Sequence, residues 1–232
     1  MLTIRRSAER GHADHGWLDT YHTFSFSSYH DPRHMGYRVL RVINEDKVEP
    51  GQGFGRHGHR DMEILTWILE GALEHQDSMG TRGVIRPGDL QYMSAGTGVL
   101  HSEFNASKTE RVHLLQIWIL PSEQDAEPRY DQKSFADALV PGALVRVASA
   151  SGRDGAIEVR QDVELFAARL DARHGVRYAL APGRHVWLQV ARGDVRLAGR
   201  ALAAGDGVAV ESEGELALET DGAAEILLFD LP

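Results

Sequence analysis

The chain has no cysteine among its 232 residues. That excludes disulfides, thiolate-held zinc, iron–sulfur clusters and cysteine nucleophiles, so any metal must be held by nitrogen and oxygen. No stretch approaches the roughly 18 to 20 apolar residues of a membrane span. The start, Met1-Leu2-Thr3-Ile4-Arg5-Arg6, is basic without an apolar stretch behind it. No secretory leader and no membrane attachment are therefore expected, and the expected location is cytoplasmic. Positive charge is also short: 25 Lys and Arg against 34 Asp and Glu leave a net −9. Direct binding of DNA or RNA normally needs a basic stripe, and the sequence carries none.

A composition of 42% apolar and 25% charged residues is that of a globular chain long enough to bury a core without staples. Histidine is abundant and uneven. Of twelve, only His174 and His185 lie beyond His113. The 24 glycines separate short apolar runs, such as Arg38–Ile43, Ile64–Leu69, Val112–Leu120, Val186–Val190 and Ile226–Leu231. Short runs between Gly, Pro and Asp turns predict an all-β barrel or sandwich architecture. One short helix is expected in Asp125–Leu139, where charge and alanine are dense.

The polar, proline-punctuated stretch 121–134 reads as a linker between two halves. The halves share a pattern. Trp67-Ile-Leu-Glu-Gly71 is followed by Pro87-Gly88-Asp89, and Trp187-Leu-Gln-Val-Ala-Arg-Gly193 by Ala204-Gly205-Asp206. A worn internal repeat of β-barrels is the reading. Two histidines precede Trp67 but only His185 precedes Trp187, so the metal chemistry is expected in the first half alone.

The strongest local signal is Gly51-x5-His57-x-His59-x3-Glu63. Residues i and i+2 of a strand face the same side, so His57 and His59 can present two imidazoles to one point. His101-Ser-Glu103 is a second such pair. Should the two strands be neighbours, three nitrogens and one carboxylate converge. That set suits Fe(II), Mn, Ni, Cu or Zn better than Ca or Mg. A lone H-x-H is most often two surface histidines; two such pairs among Gly-rich turns form a stronger pattern. His12 and His15, beside Asp14, are expected to shape a barrel mouth. His22 is expected to pack at an edge and His113 to be a satisfied core histidine. Gln116, on the opposite face of that strand, is the pocket candidate there.

These residues match a family. Gly51-x5-His57-x-His59-x3-Glu63-x7-Gly71 resembles the first cupin motif. Gly88-x5-Ser94-x-Gly96-x4-His101-x3-Asn105 resembles the second, with Ser where Pro is common and two residues inserted before the histidine. Arg10-Gly-His-Ala-Asp-His-Gly-Trp17, His22-Thr-Phe-Ser-Phe26, Asp61-Met-Glu-Ile64, Met93-Ser-Ala-Gly96 and His101-Ser-Glu103 are similar to the bacterial pirins, densely over residues 5–130 and loosely beyond. Gly58 departs from the Pro that the family commonly has between its two histidines.

The resemblance implies a bicupin: two antiparallel jelly-roll barrels packed face to face. Residues 1–133 would carry the metal site and 144–232 would form a degenerate barrel without metal. The chain ends would exchange strands, with Leu2–Arg5 and Ile226–Leu231 as candidates. It implies one divalent transition metal per chain, Fe(II) first, on His57, His59, His101 and Glu103. One carboxylate leaves such a site at net +1, a useful Lewis acid. Glu63 is then expected behind the ligands, accepting an imidazole N–H. The implied activity is flavonol cleavage of the quercetin 2,3-dioxygenase type, with O₂ as co-substrate and Glu103 as proton acceptor. The alternative is a non-catalytic iron-binding regulator, acting as a redox sensor through a protein partner.

Overall fold

A computed structural model describes residues 1–211 and 214–232, and almost all of the regular structure is strand. The β-branched and Leu-rich runs supply the strands, and Gly or Asp turns end them. Two compact units result. One comprises Gly11–Ala136 with Val159–Gln161; the other comprises Met1–Arg10, Asp137–Glu158 and Asp162–Pro232.

The first unit is built on two long antiparallel strands, Gly53–Glu70 and Asp89–Asn105. Gly53–Glu70 has Val112–Ile119 on its other side, followed outward by Leu40–Val48, Leu18–His22 and Gly11–Asp14. Asp89–Asn105 changes its second neighbour along its length, from Arg129–Ser134 to Leu73–Asp77. The hydrogen-bonded path ends at Gly11–Asp14 and Arg82–Ile85, so the sheet folds as a jelly roll without closing into the expected barrel. Leu18, Val48, Ile68, Leu73, Ile85, Val112 and Leu114 pack as one apolar cluster.

No helix forms over 125–139. Arg129–Ser134, expected within linker and helix, is instead an edge strand in register with Asp89–Ser94. The unpaired side of Asp89–Ser94 supplies hydrogen bonds that a short isolated helix would lack. Among the described residues no helix is long and apolar enough to cross a membrane.

The second unit packs a seven-stranded sheet on a four-stranded one, Val176–Leu180, Gly214–Glu219, Val195–Leu197 and Arg200–Leu202. Leu188, Val208, Ile226 and Leu228 from the larger sheet meet Leu197, Leu202, Leu216 and Leu218 from the smaller in one core. Leu2–Arg5 leaves the rest of the N-terminal half and pairs with Gly207–Val210 at the edge of the larger sheet. The opposite terminus does not exchange. Ala224–Leu231 lies inside the sheet of its own half, between Glu164–Leu170 and His185–Arg192. Every one of its residues is buried, a position that only a central strand offers.

The Gly-Asp turns of the two halves work alike. Asp89 accepts the N–H of Arg86 at 3.0 Å, and Asp206 accepts that of Ala203 at 3.1 Å, each three residues back. Asp206 also takes the Arg6 guanidinium at 2.7 Å and the Ser7 N–H at 2.7 Å, fixing the chain just after Leu2–Arg5. Asp206→Ala is expected to lower stability by about 1–2 kcal/mol, because a charge-assisted bond to Arg6 and the bonds from the Ser7 and Ala203 N–H groups are lost. Urea denaturation of the variant against the parent measures it.

Candidate metal centre

The register of the two long strands sets His57 opposite His101, with His59 opposite Val99. An irregularity between Phe54 and His57 adds one residue to Gly53–Glu70, so Phe54, His57 and His59 all line the same cavity. The Nε2 atoms of His57 and His101 lie 3.0 Å apart. The His59 ring centroid is 4.7 Å from that of His57 and 4.8 Å from that of His101. One nitrogen from each of the three comes within 4.8 Å of the others.

The remaining ring nitrogens define the tautomers. His57 Nδ1 donates to the Gly55 carbonyl at 2.8 Å, which leaves its Nε2 lone pair free. His101 Nδ1 faces His75 Nδ1 at 3.5 Å. His75 Nδ1 accepts from the Gln91 amide at 3.3 Å, and its Nε2–H donates to Asp77 at 3.1 Å. The chain Asp77–His75–His101 therefore turns Nε2 of His101 toward His57. Burial, reinforced by the neighbouring imidazoles, pushes His101 far below the usual histidine range, and burial with His57 beside it brings His59 down to about 4. Both rings stay neutral at ordinary pH, the form that coordinates metal.

Glu103 is 1% exposed. Its Oε2 accepts from the Gln116 amide at 2.9 Å, while Oε1 is buried without a hydrogen-bond partner. Burial raises its carboxyl above the ordinary range. One carboxylate oxygen lies within 4.8 Å of donor nitrogens of His75 and His101. His101 thus belongs to two overlapping sets, one with His57 and His59 and one with His75 and Glu103. An orphaned buried carboxylate oxygen beside unprotonated imidazole nitrogens is a donor set that fits a divalent transition metal.

Glu63 lies elsewhere, and the expectation that it accepts an imidazole N–H is corrected. Its carboxylate takes the Tyr92 hydroxyl, the Ser94 hydroxyl at 2.7 Å and the Arg160 N–H at 3.0 Å. Asp61 adopts a left-handed backbone, φ 64°, and an extra residue opposite it interrupts the register. Counting by twos from His57 and His59 therefore fails at this point. Ile64, not Glu63, continues the inward face, packing with Met93, Val99 and Trp118. Gly58 uses no special freedom, since its φ is not among the positive ones.

A cavity of about 250 Å³ opens beside His57 and His59, lined also by Phe26, Phe54, Gln116 and Trp118. His22 and His15 line it too. His22 thus leaves its expected edge position, and its Nδ1 bonds Asn44 Oδ1 at 2.9 Å. His12 instead pairs with Asp19 at 2.7 Å, and His113 with Glu45 at 2.9 Å on the other face of its strand. His75 is the residue that sequence reasoning passed over. Its signal was the His75-Gln-Asp77 spacing, which sets imidazole and carboxylate on one strand face.

Two jelly rolls in one chain, the first with a histidine-lined cavity, define the class as a bicupin. Residues 3–119 match the Pirin family model, and residues 146–231 match the model described as the quercetinase C-terminal cupin domain. The chain belongs to the pirin family. It is 50% identical to the quercetin 2,3-dioxygenase of Escherichia coli (strain K12) over 232 residues, 100% of this chain and 99% of that one. The crystal structure of the bacterial pirin YhhW from Escherichia coli in complex with nickel(II) superposes with a TM-score of 0.94. It is 48% identical, with 100% of this chain and 99% of that one covered. A quercetin 2,3-dioxygenase structure from Acinetobacter baumannii, 21% identical with a TM-score of 0.80 over 98% of this chain and 85% of that one, shares the fold.

Glu63→Ala is expected to cost about 2–3 kcal/mol in chemical denaturation, because buried donors from Tyr92, Ser94 and Arg160 lose their acceptor. Metal uptake, measured by elemental analysis, should equal that of the parent.

Proposed function

We propose that the chain is a metal-dependent dioxygenase of the quercetin 2,3-dioxygenase type. It holds one divalent transition metal on His57, His59, His101 and Glu103, with Fe(II) preferred and Mn, Ni, Cu and Zn as alternatives. The observation that carries this reading is the 3.0 Å approach of the His57 and His101 Nε2 atoms, with Nδ1 of each engaged elsewhere. Two lone pairs aimed at one point, with a carboxylate oxygen close by, call for a cation. The nickel(II) in the YhhW relative and the name of the Escherichia coli relative support it.

When bound, the metal supplies Lewis acidity that makes a coordinated hydroxyl more acidic and holds it near O₂. The protein residues do the rest. Phe26, Phe54 and Trp118 give the cavity flat apolar walls that suit the rings of a flavonol and exclude water from them. Gln116 fixes one oxygen of Glu103 and leaves Oε1 to act. Glu103 takes the proton of the flavonol 3-hydroxyl when its Oε1 loosens from the metal, Gln116 keeping Oε2 in place. His75 and Asp77 hold His101 in the tautomer that keeps Nε2 available.

Oxygen uptake by metal-loaded protein with a flavonol tests the reading. His59→Ala should abolish uptake and metal content together. Glu103→Gln keeps an oxygen of the same size but removes the proton acceptor. At equal metal occupancy its kcat should fall by about 10² to 10⁴, and full activity there would remove Glu103 as the base. Absence of uptake from any metallated parent protein, across several flavonols, would replace the enzyme by a regulator that works through a protein partner. His75→Ala should weaken metal binding about 10- to 100-fold in a chelator competition, with the metal still bound at saturation.

A further inference from the structure

The cavity that His57 and His59 enter also contains a carboxyl with no place in the chemistry above. Asp46, on strand Leu40–Val48, lines the same cavity and is 3% exposed. The Thr20 hydroxyl on the neighbouring strand hydrogen-bonds its carboxyl, while Oδ1 is buried with no hydrogen-bond partner. Burial pushes its pKa up to about 7, with the carboxyls of Glu103, Glu45 and Asp19 adding to the rise. Of the titratable groups on the flanking strands, His22 bonds Asn44 and His113 is turned to Glu45 on the opposite face.

A buried carboxyl with an unsatisfied oxygen costs stability. A hydrophobic or amide side chain would fill the same place more cheaply, so the residue calls for a partner that enters the cavity. We propose that Asp46 is a specificity-determining residue whose carboxyl accepts a hydrogen bond from a second hydroxyl of an aromatic ligand already anchored at the metal centre through its first. The assignment rests on the flavonol reading and narrows it. The substrate class becomes polyhydroxylated planar aromatics, and an analogue with the metal-binding hydroxyl alone leaves Asp46 unsatisfied. Phe54 and Trp118 offer the same apolar walls to either ligand, and the carboxyl reads the added hydroxyl.

Equilibrium binding to the metal-loaded protein without oxygen, read by quenching of tryptophan fluorescence, separates the outcomes. Quercetin carries further ring hydroxyls and 3-hydroxyflavone carries only the first. The parent protein should bind quercetin about 10- to 100-fold more tightly, the range for leaving one buried polar group unpaired. Asp46→Ala should reduce that ratio to about threefold or less. Asp46→Asn keeps an acceptor oxygen and should retain most of the preference.

The Asn variant also reports on the cost of the carboxyl. Folded Asp46 holds its proton up to about pH 7, against 3.8 for the ordinary group. The folded state therefore binds more protons over that interval, and its stability falls as pH rises through it. Asp46→Asn should melt higher than the parent at pH 8, and the two should converge toward pH 4. A parent protein that binds both flavonols equally, or an Asp46→Ala variant that keeps the full preference, overturns the assignment and leaves the flavonol reading intact. Failure of the parent to bind either flavonol overturns both.

Discussion

The antiparallel register between Gly53–Glu70 and Asp89–Asn105 governs the metal centre. It sets His57 directly across from His101, two residues 44 positions apart in sequence whose Nε2 atoms end 3.0 Å from each other. A slip of one residue would turn either histidine to the opposite face. The long strands resist such a slip because apolar partners lock them beyond the site: Ile64 meets Met93 and Trp67 meets Leu90, all fully buried. Burial of these residues, not the histidines themselves, holds the imidazoles together. A centre whose donors repel protons and lack hydrogen-bond partners needs that external support.

Three of the buried carboxyls in this unit take three roles, each decided by the face it occupies. Glu103 meets His101 and keeps one oxygen without a partner. Glu63 is fully satisfied by Tyr92, Ser94 and the Arg160 N–H, and serves to hold the segment Val159–Gln161. Asp46 lines the cavity with one oxygen bare. Buried acids are costly unless paired, so the unit concentrates its instability around one cavity. The Glu63 network and the apolar cluster around Ile68 and Leu114 are well satisfied by contrast. The Glu63 network lies on the other face of its strand, whereas the apolar cluster shares the side of the cavity, Leu18 belonging to both.

The two halves show what a duplicated architecture retains. In both, an Asp after Gly caps its own turn by accepting the N–H three residues back. In both, the strand bearing the tryptophan pairs with the strand that follows that turn, Trp67 with Leu90 and Trp187 with Ala209. The turn and the pairing are needed for folding in either half. The histidines are not, and the clusters of three metal-type side chains among the described residues both lie in the first unit.

The sequence alone determined the all-β class, the strands around Ile64–Leu69, Val112–Leu120 and Ile226–Leu231, and the two ligand-type pairs His57 with His59 and His101 with Glu103. These follow from local rules: alternation, Gly-Asp turns and the i, i+2 spacing of ligand-type side chains. Legibility ended where two distant segments decide the outcome together. Glu63 shares the spacing of the histidines, yet the left-handed Asp61 and the extra residue opposite it send it to the other face. Arg129–Ser134 has a linker's composition and becomes a strand because Asp89–Ser94 presents an unpaired edge. Asp46 looks ordinary in the chain, and His75, paired with Asp77 on its own strand, acquires its meaning from His101 on another. Side-chain alternation is a property of one strand, whereas register, bulges and the pairing of buried polar atoms exist only between strands, and only the folded chain fixes them.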